Sequence, residues 1–305
     1  MAKTIKKKNM SVRYYTKPKD YIYMVLVHIL CAVSVICILI PLIYVVAASF
    51  SSPKALLSGR VFLVPVDFTL RGYKMLLKHE LLVTGFCNSL LYTVVGTVIN
   101  LVMTVLAAYP LSRKDLAIRN SVMLLFTFTM LFNGGVISSP ILIKNLGMLD
   151  TIWALVIPTS ISVWNLIITR TYFQSTIPGE VQESASVDGC DDFTFLIKIA
   201  IPLAKPILAV NVLLYAVGHW NSYFNEMMYL STNTKFPLQL VLREILVNMG
   251  TAGMTLDVTK QLEMQETKYL LQYSSIIVGS VPVMLLYPFV QKYFVKGIMV
   301  GAIKG

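Results

Sequence analysis

The stretch IPGEVQESASVDGCDDFTFLIKIAIP, residues 177–202, decides how this chain is read. Pro178 suits the first turn of a helix, where its missing N–H costs nothing. Glu180 and Glu183 follow at once, at the end where the helix dipole favours anions. Gly189 is a natural stop after a face made of Ile177, Val181, Ser184 and Ala185. Asp191 can cap a second short helix, 192–198, and Pro202 is expected to end it. The expectation is two short interfacial helices bent at a glycine. A lone membrane protein has no use for such an element; its shape suits a groove on a soluble partner.

The rest of the chain supplies the membrane. Of 305 residues, 56% are hydrophobic and 13% charged, with a mean hydropathy of +0.70. Soluble domains carry about 25% charged residues, so a soluble globular enzyme is excluded, and the apolar content excludes disorder. The net charge of +11 points to basic loops flanking membrane spans rather than to nucleic acid. A span needs about 20 mostly apolar residues. Six segments qualify, at 23–49, 88–110, 121–143, 151–171, 203–224 and 271–295. The first is too long for a cleavable signal peptide and is read as a retained anchor. Lys3, Lys6, Lys7, Lys8, Arg13, Lys17 and Lys19 precede it, Arg113, Lys114 and Arg119 follow the second span, and Lys292, Lys296 and Lys304 follow the sixth. Placing these inside gives an all-α protein with six transmembrane helices, N-in and C-in. The expected organisation is a basic cytoplasmic tail (1–22), a first transmembrane helix (23–49), an extracytoplasmic loop (50–87) and a core (88–305). That core carries a cytoplasmic loop at 172–202 and an extracytoplasmic loop at 225–270.

Chemistry inside the spans is sparse. No Asp or Glu falls within any of them, Glu226 lying just past the fifth. Proton-coupled carriers normally place carboxylates at depth, so the energy is expected from elsewhere. No GxxxxGK[ST] phosphate loop occurs. Cys31, Cys37, Cys87 and Cys190, and His28, His79 and His219, show no metal-ligand or disulfide spacing. Spans three to five do carry amides and breaks: Asn133-Gly134-Gly135 with Pro140, Pro158 with Asn165, and Asn211 with Trp220, Asn221 and Tyr223. Broken backbone at depth suits a water-filled path, while small and amide residues also glue helices together. Aromatic faces and amides suit a sugar. Trp164, Asn165, Trp220, Asn221, Tyr223 and Phe224 are therefore the candidate pathway residues. Lipid-interface anchoring or helix packing is the alternative for each aromatic.

Residues 183–202 resemble the E-A-A, three residues, G, nine residues, I-x-L-P motif of the permeases of bacterial binding-protein-dependent ABC importers. Glu183-Ser184-Ala185 stands for E-A-A, Gly189 follows after three residues, and Ile199-Ala200-Ile201-Pro202 after nine more. Ser184 and Ile201 are departures, both small. Asn88-Ser89-Leu90, Ala107 to Arg113, Trp220 to Phe224 and Lys296 to Gly305 look like the carbohydrate, maltose-transporter-like branch. Asn133-Gly134-Gly135 and Lys144-Asn145-Leu146-Gly147 look like a subgroup associated with oligosaccharides and polysaccharide fragments. The resemblance implies a type I ABC importer permease fold and a multi-pass protein of the bacterial cytoplasmic membrane, not itself an enzyme. It implies a heterodimer with a second permease, two ATPase subunits that hold ATP and Mg, an external sugar-binding lipoprotein and a carbohydrate substrate. No cofactor belongs to this chain and nucleic acid is not a partner. Glu183, Ser184, Ala185, Asp188, Gly189, Ile199 and Pro202 would carry ATPase coupling. The loop with Thr251 to Met254 would face the binding protein, and the tail 296–305 would reach toward the ATPase. A non-sugar solute such as a compatible solute or amino acid is the nearest alternative substrate. A membrane enzyme acting on lipid or glycan is the alternative of another class, and it lacks a catalytic cluster.

Overall fold

The computed structural model describes residues 18–132, 134–252 and 258–302. Among them every regular element is helical. The chain divides into two units at Thr69/Leu70. The first holds α1 (Pro18–Ser49) and α2 (Pro53–Leu57). Between them Ser51 Oγ accepts from the Val66 N–H at 3.0 Å, and Phe50 stacks on Phe68. The basic residues at 1–17 lie outside the described residues, as do Asn133, Met254 and the last three positions.

The second unit opens with α3 (Arg71–Leu77) and is built on α4 (Glu80–Ser112), a helix of 33 residues and hence roughly 50 Å long. Ser89, Thr93, Gly96, Thr97, Asn100, Thr104, Ala108 and Leu111 are all buried along it. These positions recur at helical spacing, so one face is small or polar and admits close neighbours. At Gly96 an ideal Cβ would stand 2.5 Å from His219 Nε2, so α12 (Lys205–Asn221) crosses where only glycine fits. Two apolar cores form at the two ends of α4. One gathers Leu82, Tyr92, Leu155, Trp220, Tyr229, Phe236 and Leu238; the other gathers Val105, Tyr109, Leu166, Phe173, Phe195 and Ala204.

Among the described residues, three helices are long and apolar enough to cross a membrane: Tyr21–Ser49, Glu80–Ser112 and Met264–Leu286. Counting each of two bent helix pairs as one span gives five. The protein is thus an integral membrane protein, with spans less regular than hydropathy implies. The expected span 121–143 is two helices, α5 (Arg119–Leu131) and α6 (Gly135–Asn145), inclined at 112°. The expected span 151–171 is interrupted: α7 (Trp153–Val156) stops ahead of Pro158, and α8 (Val163–Thr176) restarts with Ser162 Oγ accepting from the Asn165 N–H. Past α12 and α13 (Phe224–Tyr229), the segment 225–270 is largely helical. It holds α14 (Leu238–Ala252) and the start of α15 (Val258–Ala302). Leu238, Val241, Leu242 and Ile245 are buried at the i, i+3, i+4, i+7 spacing of an amphipathic helix.

Candidate functional site

The coupling stretch folds at the Ser112 end of α4. Pro178 caps α9 (Gly179–Val187) with extended backbone, φ −63° and ψ 146°, and Glu180 lies in its first turn. Asp188 closes the helix and Gly189 turns left-handed at φ +78°. The Gly189 N–H donates to the Ser186 carbonyl at 3.1 Å, and the Cys190 N–H to that of Ala185 at 2.9 Å. These bonds satisfy carbonyls left open at a helix end. Asp191 caps α10 (Asp192–Phe195), accepting from the Phe193 and Thr194 N–H groups at 3.1 and 3.2 Å. Hydrogen bonds from Thr194 hold the Asp191 carboxyl below the usual carboxylate range.

Pro202 does not end the second helix as expected. A wide π-turn, Leu196–Ala200, leads into α11 (Ile201–Leu203), which contains Pro202, and the 82° bend to α12 follows at Ala204. Proline cannot donate to the turn before it, and a wide turn there tolerates the missing bond.

The named coupling residues separate into two groups. Ala185 and Ile199 pack on the apolar core beneath, whereas Glu183, Ser184, Asp188, Gly189 and Pro202 are exposed. No residue of α9 is buried. Val181, Val187 and Phe193 also point outward, Val187 at 88% exposure. Apolar side chains thus surround an exposed carboxylate on this element.

Halfway along the bundle lies a belt of polar side chains. Asn100 Nδ2 donates to the Thr159 carbonyl at 2.7 Å, in the break after Pro158. Tyr215 OH pairs with Thr104 Oγ1 at 2.6 Å and accepts from the Ser162 N–H at 3.2 Å. Asn211 Nδ2 donates to Thr169 Oγ1, and Thr169 to the Asn165 carbonyl, both at 2.6 Å. His219 Nε2 lies 3.4 Å from Asn100 Oδ1. Side chains thus satisfy backbone groups that the broken helix exposes.

Beside the belt a cavity of about 350 Å³ is lined by Asn100, Thr159, Trp164, Asn165, Tyr215, His219, Ser222 and Glu226, among others. Of the six expected pathway residues it brings together Trp164 and Asn165. Trp164 is 59% exposed, while the Asn165 residue is buried. Trp220 sits elsewhere, 4% exposed, its edge against Phe86 and its Nε1–H donating to the Gly279 carbonyl at 2.8 Å. Asn221 is exposed, Tyr223 stacks under the Arg243 guanidinium at 5.7 Å, and Phe224 lines a separate small cavity. Sequence reasoning missed Asn100, Tyr215, His219 and Glu226. The i, i+4 pair Tyr215 and His219 and the lone carboxylate at a span end were the available signals.

No family model matches the chain. It is 39% identical over 273 residues to the polygalacturonan/rhamnogalacturonan transport system permease protein YtcP of Bacillus subtilis, covering 89% of this chain and 94% of that one. Protein LplC of the same organism is 37% identical over 88% of this chain and 90% of its own. A crystal structure of a bacterial ABC transporter involved in import of the acidic polysaccharide alginate contains a chain that superposes with a TM-score of 0.80. The two share 34% identity, covering 92% of this chain and 99% of that one. The chain belongs to the carbohydrate ABC transporter permeases. This permease is therefore a transport subunit and not an enzyme, and the Glu183–Pro202 element is read within that family.

Proposed function

We propose that this permease is one of two different membrane subunits of an ATP-driven importer of oligosaccharides in the bacterial cytoplasmic membrane. In this reading the chain crosses six times with both termini inside. The bent pairs α5–α6 and α10–α12 and the interrupted α7–α8 act as spans. Two ATPase subunits sit at the Ser112 end of α4, beside the basic Arg113, Lys114 and Arg119. An external sugar-binding lipoprotein delivers substrate at the Glu80 end. The observation that carries the proposal is α9 with its Gly189 turn: a short helix without a buried residue, held at the mouth of the bundle with Glu183 and Val187 presented outward. ATP-driven closure of the ATPases would move it, and the spans would pass between outward- and inward-facing states.

The sugar would pass the polar belt. Trp164 offers an aromatic face, and Asn165, His219 and Glu226 offer hydrogen-bonding groups around the cavity, the combination that a ring of hydroxyls over apolar C–H faces requires. Ser222 Oγ donates to Glu226 Oε2 at 2.8 Å, which holds that carboxylate at the rim. The substrate class is supported by the relative named for polygalacturonan/rhamnogalacturonan transport and by the alginate importer. The test is uptake of a panel of labelled oligosaccharides, with amino acids and compatible solutes as controls. The wild-type permease and a Trp164→Ala/Asn165→Ala variant would be compared. Oligosaccharide uptake that disappears in the variant while the complex remains assembled is expected. Uptake of an amino acid alone, or normal sugar uptake by the double variant, would overturn the substrate reading.

A further inference from the structure

The residue that immediately follows α4, Arg113, has a side chain 15% exposed and is the polar hub of the coupling end. Its Nε and Nη2 donate to the two oxygens of Asp115 at 3.0 and 2.6 Å. Its Nη1 donates to Asp192 Oδ1 and, at 3.4 Å, to Tyr109 OH. The Gln182 amide, with its oxygen turned toward the guanidinium, stands 3.0 Å from both Nε and Nη1. One side chain thus joins α4, the loop after it, α9 through Gln182 and α10 through Asp192. Its own carbonyl accepts from Arg119 Nη1 at 3.0 Å, and Arg170 Nε of α8 donates to the neighbouring Leu111 carbonyl at 2.8 Å. Both carboxylate partners are largely exposed, Asp115 at 64% and Asp192 at 74%, so the Arg113 side chain is the less exposed member of the cluster.

We infer that Arg113 is a positioning residue, a strut through which movement of the α9–α10 element is passed to α4 and so to the pathway. This rests on the reading of that element as the ATPase docking site. The reason is mechanical. Because α9 buries no residue of its own, apolar packing holds it weakly, through the partly buried Ala185 and the flanking Ile177 and Cys190. A planar five-donor fork is suited to hold several acceptors at once in one geometry. Without it, α9 and α10 would lose their charged hydrogen-bonded tie to the end of α4, and the element would swing without carrying α4 along.

The experiment uses the complete transporter, both permeases with ATPases and binding lipoprotein, in proteoliposomes. It reads three quantities: ATPase retained on purification, ATP turnover, and sugar imported per ATP. Arg113→Gln should keep the ATPase and its turnover but lower sugar per ATP by about tenfold, the order set by losing charged hydrogen bonds. Arg113→Lys, which keeps the charge but loses the fork, should recover part of that ratio. A role in packing alone would not separate Lys from Gln at this position. Should Arg113→Gln fail to assemble, Asp192→Asn, made on an exposed side chain, should still lower the ratio. Wild-type coupling by Arg113→Gln, or by Asp192→Asn where only that variant assembles, would overturn the strut, as would a stably inserted Arg113→Gln permease that sheds its ATPase or an Arg113→Lys variant no better than Arg113→Gln. Glu183→Lys in the same assay reports on docking separately, since it should shed the ATPase. If it does not, the docking reading falls and the strut with it, whereas failure of the strut alone leaves Glu183→Lys shedding the ATPase.

Discussion

Substitution of Gly189 isolates one backbone torsion in the coupling element. Gly189 stands at φ +78°, and a Cβ added there meets no atom within 4 Å. The cost of Gly189→Ala is therefore conformational and not steric. A left-handed L-residue costs roughly 1–2 kcal/mol, which is a factor of about 5–30 in population. If the ATPase selects the observed loop geometry, its apparent affinity falls by that factor at most, because only the competent fraction binds. Asn tolerates the left-handed region better than Ala, and a β-branched side chain worse. The expected order of ATPase retention and uptake is Gly, then Asn, Ala and Val. Gly189→Pro should be the most damaging. Proline holds φ near about −65°, removes the N–H that donates to Ser186 at 3.1 Å, and disfavours the near-helical backbone of Asp188, φ −75° and ψ 5°. The assay is co-purification of the ATPase alongside uptake in whole cells, with membrane insertion followed by blotting. Equal uptake for Gly189→Val and wild type would refute the reasoning, because the torsion would then be irrelevant to coupling.

Trp220→Phe should lower thermal stability by about 1–3 kcal/mol by leaving the Gly279 carbonyl without its donor, and Trp220→Ala by about 3–5 kcal/mol; a fully stable Trp220→Ala permease that fails only in transport would return this residue to the pathway. Asp150 bonds Lys235 Nζ at 2.6 Å and the Ser231 and Thr232 N–H groups at 3.0 and 3.1 Å. The Lys235 bond is the main cause that holds its carboxyl well below the usual range. With the folded value lowered, the stabilisation is complete above the unfolded carboxylate pKa, about 3.9, and is lost only as pH falls through the folded one. Melting curves of the purified permease should thus show Asp150→Asn below wild type at neutral pH, with the gap closing only in strong acid; identical curves at neutral pH would contradict this.

Much of the coupling element was legible because its residues act on the backbone directly. Pro178, Gly189 and Asp191 each permit few conformations, and all three do in the structure what their chemistry requires. Pro202 misled because the π-turn before it absorbs the missing bond, and a turn of that kind leaves no mark in composition. Hydropathy found the long apolar runs but not their interruptions. It reports transfer from water to lipid, and a helix that breaks at Pro158 against Asn100 and Tyr215 is as apolar as an unbroken one. Hydropathy does not mark α14 (Leu238–Ala252), because its polar side chains dilute the apolar ones, although its apolar spacing is helical. Trp220 and Trp164 look alike in sequence. Which one packs against Phe86 and which one faces the cavity depends on helix rotation, set by long-range contacts. Arg113 was visible as a basic residue after a span, but its partner Asp192 is 79 residues away.

The central claim is that the α9–α10 element is where the ATPase docks. A photo-activated cross-linking residue placed at Glu183 in the assembled, transport-competent complex tests it most directly, with a second placed at Val83, exposed near the opposite end of α4. The account predicts an ATPase adduct from position 183 and none from position 83. An active complex that yields no ATPase adduct from position 183, or yields one from position 83, would contradict it.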